Sequence, residues 1–168
     1  KPQSATETFV AVKAEIDNWR WAGVPFYLRT GKRLPIRHTE AVIQFKDVPV
    51  PFFHSAGVKG IVPNQLVISI QPEESISFNF MAKAPGVDVD VEPVTMSFSY
   101  ASSFPVQPAE AYERLLHDVM DGDHTLFART DSVDRSWEVV EPVLHGDPLP
   151  VYPYAPGSWG PVEAEKLV

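Results

Sequence analysis

Alternation with a period of two runs through the first two thirds of the chain. Val10, Val12, Ala14 and Ile16 share one side of an extended segment, with Phe9, Ala11, Lys13 and Glu15 on the other. Ala41, Ile43 and Phe45 alternate with Val42 and Gln44, and Leu66, Ile68 and Ile70 with Val67, Ser69 and Gln71. Ile76, Phe78 and Phe80 stand against Ser77, Asn79 and Met81, and Met96, Phe98 and Tyr100 against Thr95, Ser97 and Ser99. The spacing predicts strands with one apolar and one polar side. It favours antiparallel pairing, because parallel strands are covered on both faces and read as continuous apolar runs. The polar side is rich in Ser, Asn and Gln, which suit a ligand pocket, a wet subunit interface or a solvated surface alike.

After Pro105 the period lengthens to about 3.6 residues. Tyr112, Leu115, Leu116, Val119 and Met120 form a helical stripe suited to covering the sheet's apolar face, with Pro108 in the first turn and Gly122 at the stop. A second helix is predicted from an N-cap at Asp131 or Ser132, with Val133, Trp137, Val140 and Leu144 on one side and Pro142 kinking or ending it. The stretch from Pro148 to Pro161 has no periodicity, and its Tyr, Trp, Pro and Gly content predicts an extended segment packed over another surface. The fold class expected is α+β: a large, mostly antiparallel sheet with helices packed on one face. No repeat, low-complexity tract or interdomain linker interrupts it.

Composition narrows the function classes. With 168 residues, 44% of them hydrophobic and 21% charged, the chain reads as one compact domain, and its 17 prolines disfavour a plain helix bundle. The absence of cysteine excludes disulfides and thiolate zinc sites and suits a reducing, cytoplasmic setting. No run approaches the roughly 18 apolar residues of a membrane span, and the opening KPQSATET is too polar for a signal-peptide core. A net charge of −8 argues against nucleic acid or an anionic membrane as partner.

Against that acidic background, Arg20 to His38 carries five of the fourteen Lys and Arg residues and no acid. The apolar positions Val24, Phe26 and Leu28 lead into a turn, Thr30-Gly31-Lys32-Arg33, and Lys32 and Arg37 flank Pro35, which limits backbone freedom between them. A local cluster of this kind suits a small polar or anionic ligand; it equally suits a solvated loop that protects a strand edge. The five histidines, at 38, 54, 117, 124 and 145, show no metal-binding spacing, Asp121 and Asp123 lack the rest of a calcium loop, and no serine sits in a nucleophile elbow.

A longer signal lies in the exact wording of the chain. TETFVAVKAEIDNWRWAGVPFYLRTGKRLP, NQLVISIQP, PAEAYERLLHDVMDGDHTLFART and PGSWGP together resemble the C-terminal region of glucose-6-phosphate dehydrogenases, over essentially all of residues 1–168. The family's Gly-rich nucleotide turn and its RIDHYLGK catalytic segment are absent; Gly57 with Gly60 and Gly157 with Gly160 are no substitute. The resemblance therefore implies a substrate-binding and dimerisation domain of an NADP-dependent enzyme of the oxidative pentose phosphate route. That enzyme oxidises D-glucose 6-phosphate to 6-phospho-D-glucono-1,5-lactone. No catalytic residue falls in this chain, which is expected not to turn over alone. Residues that discriminate NADP from NAD fall outside it.

By the same resemblance, Lys32 and Arg37 would hydrogen-bond the sugar, and Gln71 matches a sugar contact of some members. The sheet would join two subunits of a homodimer or tetramer. Arg29 is a candidate for either a structural contact or a second, structural NADP. Val42, Ser69 and His38 stand where that second site has basic residues, so the site itself is not expected. The alternative class is a non-enzymatic module of the same ancestry that binds a sugar phosphate or only dimerises.

Overall fold

A computed structural model describes Ser4 and residues 6–47, 61–105, 110–147 and 149–167. The readings placed on His54, Gly57, Gly60, Pro108 and Pro148 lie outside the described residues. In chain order the elements are β1 (Phe9–Glu15), β2 (Pro25–Gly31), β3 (Thr39–Gln44), β4 (Gln65–Gln71), β5 (Ser75–Lys83), β6 (Val91–Ser99), α1 (Tyr100–Ser103), α2 (Ala111–Asp121), α3 (Thr130–His145) and a 3₁₀ helix, Val162–Leu167. The chain forms two compact units, Lys1–Ile36 with Ala109–Val168 and, between them, Arg37–Pro108.

In the first unit β1 and β2 make an antiparallel hairpin, in register from Phe9 opposite Gly31 to Glu15 opposite Pro25. Asn18 closes the connection locally. Its Oδ1 accepts from the backbone N–H of Arg20 (3.0 Å) and Trp21 (2.8 Å), an arrangement Asn favours in turns, and Gly23 supplies a positive φ of 77°. β2 runs through Thr30 and Gly31, so the turn expected to begin at Thr30 bends only at Lys32 and Arg33.

Helix α2 ends as its sequence predicts. Gly122 adopts the left-handed conformation (φ 72°), its N–H reaches the Val119 carbonyl at 3.3 Å, and the Asp123 N–H reaches that of Asp118 at 2.9 Å. Asp118 is 3% exposed, its carboxylate held by Arg114 Nε at 2.9 and 3.2 Å. Helix α3 starts earlier than predicted, after Arg129. Asp131 sits inside the first turn, where its carboxylate receives the Arg129 guanidinium (3.0 and 2.8 Å) and the Ser132 N–H (3.0 Å). Nor does Pro142 end it: the missing N–H falls in the last turns, where it removes a single ladder bond, and the helix continues to His145.

The second unit is one antiparallel sheet in the order β3-β4-β5-β6. Its register aligns the apolar positions into rows, Ile43-Leu66-Phe78-Met96 and Ala41-Ile68-Ile76-Phe98. The polar positions align likewise and bond across strands, Thr95 Oγ1 to Asn79 Oδ1 at 2.8 Å and Gln65 Nε2 to Gln44 Oε1 at 3.2 Å. Aromatic contacts stiffen the apolar side, with ring centroids 6.0 Å apart for Phe45 and Phe78 and 5.5 Å for Phe78 and Phe80. β6 stops at Ser99. Tyr100, whose period places it in the strand, instead opens the short turn α1 and packs its ring on Phe98 and Phe104.

The α+β class and the antiparallel pairing follow the sequence pattern, with the strands divided between two sheets. Among the described residues no hydrophobic side chain is buried. Ile43, Ile76 and Met96 remain open on the sheet, and on α2 Tyr112 and Met120 are 81% and 78% exposed. The stripes that predict the elements are present without a cover.

Beyond α2, the Asp123 carboxylate accepts from the Thr125 hydroxyl at 2.5 Å and the Thr125 N–H at 2.9 Å, and these bonds hold its pKa below the ordinary 3.8. With the folded value below the unfolded one, its contribution to stability is present above the unfolded carboxylate range and fades as pH falls through the folded value. A carbon-13 pH titration is expected to find Asp123 titrating below 3.8, and Thr125→Val to return it partway. An Asp123 that titrates at its ordinary value in both chains contradicts this account.

Candidate functional site

The basic turn is fixed by its backbone. The Lys32 N–H donates to the Thr8 carbonyl at 2.8 Å, just beyond the end of the hairpin ladder. On its other side the Lys32 carbonyl accepts from Tyr154 Oη at 2.7 Å. Arg33 follows with a φ of 54°, left-handed and unusual for a residue with a Cβ, and its carbonyl accepts the Gly157 N–H at 2.8 Å. Tyr154 and Gly157 belong to the aperiodic segment near the end of the chain. The surface over which the sequence expects that segment to pack is therefore, at least in part, this turn.

Phe9 makes the join. Its ring lies 5.6 Å from that of Tyr154, tilted by 59°. A Cβ built on Gly31 would lie 2.7 Å from Phe9 Cδ2, and one on Gly160, whose φ is 105°, would also run into the ring. Both glycines are thus required by close approach. Among the described residues Arg29, on one side of the turn, finds an aromatic partner and no acid. Its guanidinium lies over the Trp159 ring, 5.6 Å from the centroid.

The result is a backbone-tied mount for two exposed cations, Lys32 and Arg33. Lys32, Arg33 and Arg37 are exposed and form no ion pair among the described residues, whereas Arg114, Arg129 and Arg135 are each paired with a carboxylate. An unpaired ammonium on a fixed backbone is ready to donate up to three hydrogen bonds to a ligand.

Lys32 lies in the first unit, Arg37 and Gln71 in the second. Gln71, the last residue of β4, pairs with Thr39, and Arg37 precedes Thr39 by two residues. Arg37 and Gln71 therefore share one end of the β3–β4 edge, beside a bulge at Thr39/Glu40. His38 Nε2 contacts Glu40 Oε2 at 3.0 Å. Val42 pairs with Val67, and Ser69 lies between Glu40 and Ser75, so the strands offer a 2′-phosphate no cation at those two positions.

Among the described residues all strand pairs are antiparallel, and none of them forms the parallel β-α-β unit that puts a Gly-rich turn at a helix N-terminus. Among the described residues no three His, Asp or Glu side chains gather closely enough to hold a metal, and no helix is long and apolar enough to cross a membrane. Sequence reasoning names Lys32 but misses what holds it. Two glycines spaced around Trp159 in an aperiodic segment signal a close backbone approach, though not to which surface.

Comparison with known proteins bears on this arrangement. Residues 1–168 match the sequence profile of the "Glucose-6-phosphate dehydrogenase, C-terminal domain" family. The chain is 50% identical to a glucose-6-phosphate 1-dehydrogenase of Aggregatibacter actinomycetemcomitans, covering 99% of this chain and 33% of that one. It is 51% identical to that of Mycolicibacterium smegmatis, covering 99% and 34%. The chain thus spans about a third of the length of the curated relatives it matches. Among solved structures, the Mycobacterium avium glucose-6-phosphate 1-dehydrogenase superposes with a TM-score of 0.84 at 38% identity, over 99% of this chain and 35% of that one. A glucose-6-phosphate dehydrogenase in complex with its substrate glucose-6-phosphate also gives 0.84, at 35% identity, over 95% and 33%.

The packing at Gly31 makes a direct prediction. Gly31→Ala drives a Cβ into the Phe9 ring and should cost about 1–3 kcal/mol, as overpacking does. Urea denaturation is expected to show the lowered midpoint, with Phe9→Leu restoring part of it. An unchanged midpoint contradicts the close approach.

Proposed function

Because the chain belongs to the glucose-6-phosphate dehydrogenase family, matching its C-terminal domain over residues 1–168, we propose that it serves such an enzyme as its sugar-orienting and subunit-contact part. The reaction of the whole enzyme is oxidation of the C1 hydroxyl of D-glucose 6-phosphate to 6-phospho-D-glucono-1,5-lactone with NADP as acceptor, in the oxidative pentose phosphate pathway of the cytoplasm. No step through the nucleotide is assigned to the residues of this chain.

The observation that carries this reading is the Lys32 turn, an exposed ammonium unpaired among the described residues, on a backbone tied at both its N–H and its carbonyl. A merely solvated loop has no need of that restraint. Lys32 donates to hydroxyl or ring oxygens of the hexose and favours the negative charge that develops on the anomeric oxygen as its proton leaves. In the second unit Arg37 offers a planar fork and Gln71 an amide that donates and accepts at once, both suited to sugar oxygens, and the family resemblance proposes each as a sugar contact. Arg29 is left to its Trp159 contact and a structural role. The open apolar rows of the second sheet and its polar face suit contact with a second copy, in a dimer or tetramer. With an acidic surface, the partners are the sugar phosphate and the chain itself; nucleic acid and membrane are not among them. The chain alone does not turn over.

In the full-length protein, Lys32→Ala is expected to lower kcat/KM for glucose 6-phosphate by roughly 5- to 150-fold, the loss of about 1–3 kcal/mol of transition-state binding through a charged donor. The KM for NADP should hardly change. Steady-state kinetics with each substrate varied in turn decides the matter: an unchanged sugar kcat/KM removes Lys32 from the site, and equal losses for both substrates indicate a folding defect.

A further inference from the structure

The phenol that reaches Lys32 comes from far along the chain. Tyr154 Oη lies 2.7 Å from the Lys32 carbonyl, 3.1 Å from the Thr8 carbonyl and 3.3 Å from Thr8 Oγ1. One hydroxyl proton serves one strong bond, and the shortest approach gives it to Lys32; the Thr8 hydroxyl can donate back to the phenol oxygen. Since Thr8 also accepts the Lys32 N–H, Tyr154 and Thr8 hold the peptide groups on both sides of the Lys32 Cα. With N and C both fixed, so is the direction of the Cα–Cβ bond. The Gly157 N–H on the Arg33 carbonyl extends the restraint over the next peptide and supports the left-handed Arg33.

We propose that Tyr154 is a positioning residue, whose hydroxyl aims the Lys32 ammonium by holding the Lys32 carbonyl. The proposal rests on the reading of Lys32 as a sugar contact. A long side chain amplifies small rotations at its root. A tilt of ~10–20° in the Cα–Cβ direction, about the tolerance of a preorganised site, carries Nζ by on the order of 1–2 Å, and misplacement of that size is costly to a reaction that depends on orientation. The tyrosine ring has a separate task, contact with Phe9, so the hydroxyl can be removed without removing the packing.

The test is a double-mutant cycle in the full-length protein with Tyr154→Phe and Lys32→Ala, reading sugar and NADP kinetics and Tm. Tyr154→Phe is expected to lower kcat/KM for glucose 6-phosphate about three- to tenfold, the effect of one neutral hydrogen bond. The loss should fall on kcat as well as on KM for the sugar and leave KM for NADP unchanged. In the Lys32→Ala background the same substitution should have less than about a twofold effect, because its target is gone. An equal factor in both backgrounds overturns the proposal, as does a lowered Tm with unchanged sugar kinetics, which leaves the hydroxyl a purely structural tie. If Lys32→Ala itself leaves sugar kinetics untouched, the reading of Lys32 fails first, and the role of Tyr154 falls with it.

Discussion

The site depends on a wedge. Phe9 opens the first strand, and its ring fills the space that Gly31 and Gly160 leave by having no side chains, while its other contact is the ring of Tyr154. That packing brings a segment near residue 155 against a turn near residue 32. Without it, Tyr154 and Gly157 would not meet the carbonyls of Lys32 and Arg33, and the basic turn would be a hairpin end like any other. A contact between apolar groups sets the geometry on which the polar ones act, since the close fit of the Phe9 ring fixes the spacing and the hydrogen bonds tolerate little displacement.

Elsewhere the molecule presents surfaces more than a core. The cross-strand rows of the second sheet are apolar and in register, yet they stay open, and so does the stripe on α2. Patterns of this kind form where a partner surface is expected, because exposed apolar rows of several residues are uncommon on isolated chains. Among the described residues Asp118 is the exception, a carboxylate buried on α2 against Arg114 and tolerable there because the guanidinium bonds both of its oxygens.

Much of the fold was legible from period alone. The alternation of Leu66, Ile68 and Ile70 against Val67, Ser69 and Gln71 predicts not only a strand but its face, and the observed register sets Leu66 and Ile68 opposite apolar positions of β3 and β5. Gly122 marks the end of α2 because a left-handed residue is needed there. The misreadings are local and have local causes. Tyr100 keeps the period of β6 but turns away to pack on Phe104, and the α3 start shifts because Asp131 pairs with Arg129 inside the first turn. Of the candidate site, the residue types are legible and the architecture is not. Charge marks the basic cluster and the family resemblance singles out Lys32 and Arg37 within it, but no local pattern says that Tyr154, more than a hundred residues on, would bond the Lys32 carbonyl. Such a contact is specified by packing across the chain, which spacing does not encode.

The most direct measurement is a crystal structure of the full-length protein with glucose 6-phosphate bound. The account predicts Lys32 Nζ within hydrogen-bond distance of a sugar oxygen, roughly 2.7–3.2 Å, with the Lys32 carbonyl still on Tyr154. A sugar held elsewhere, with the Lys32 ammonium turned to solvent over the same intact turn, would contradict it.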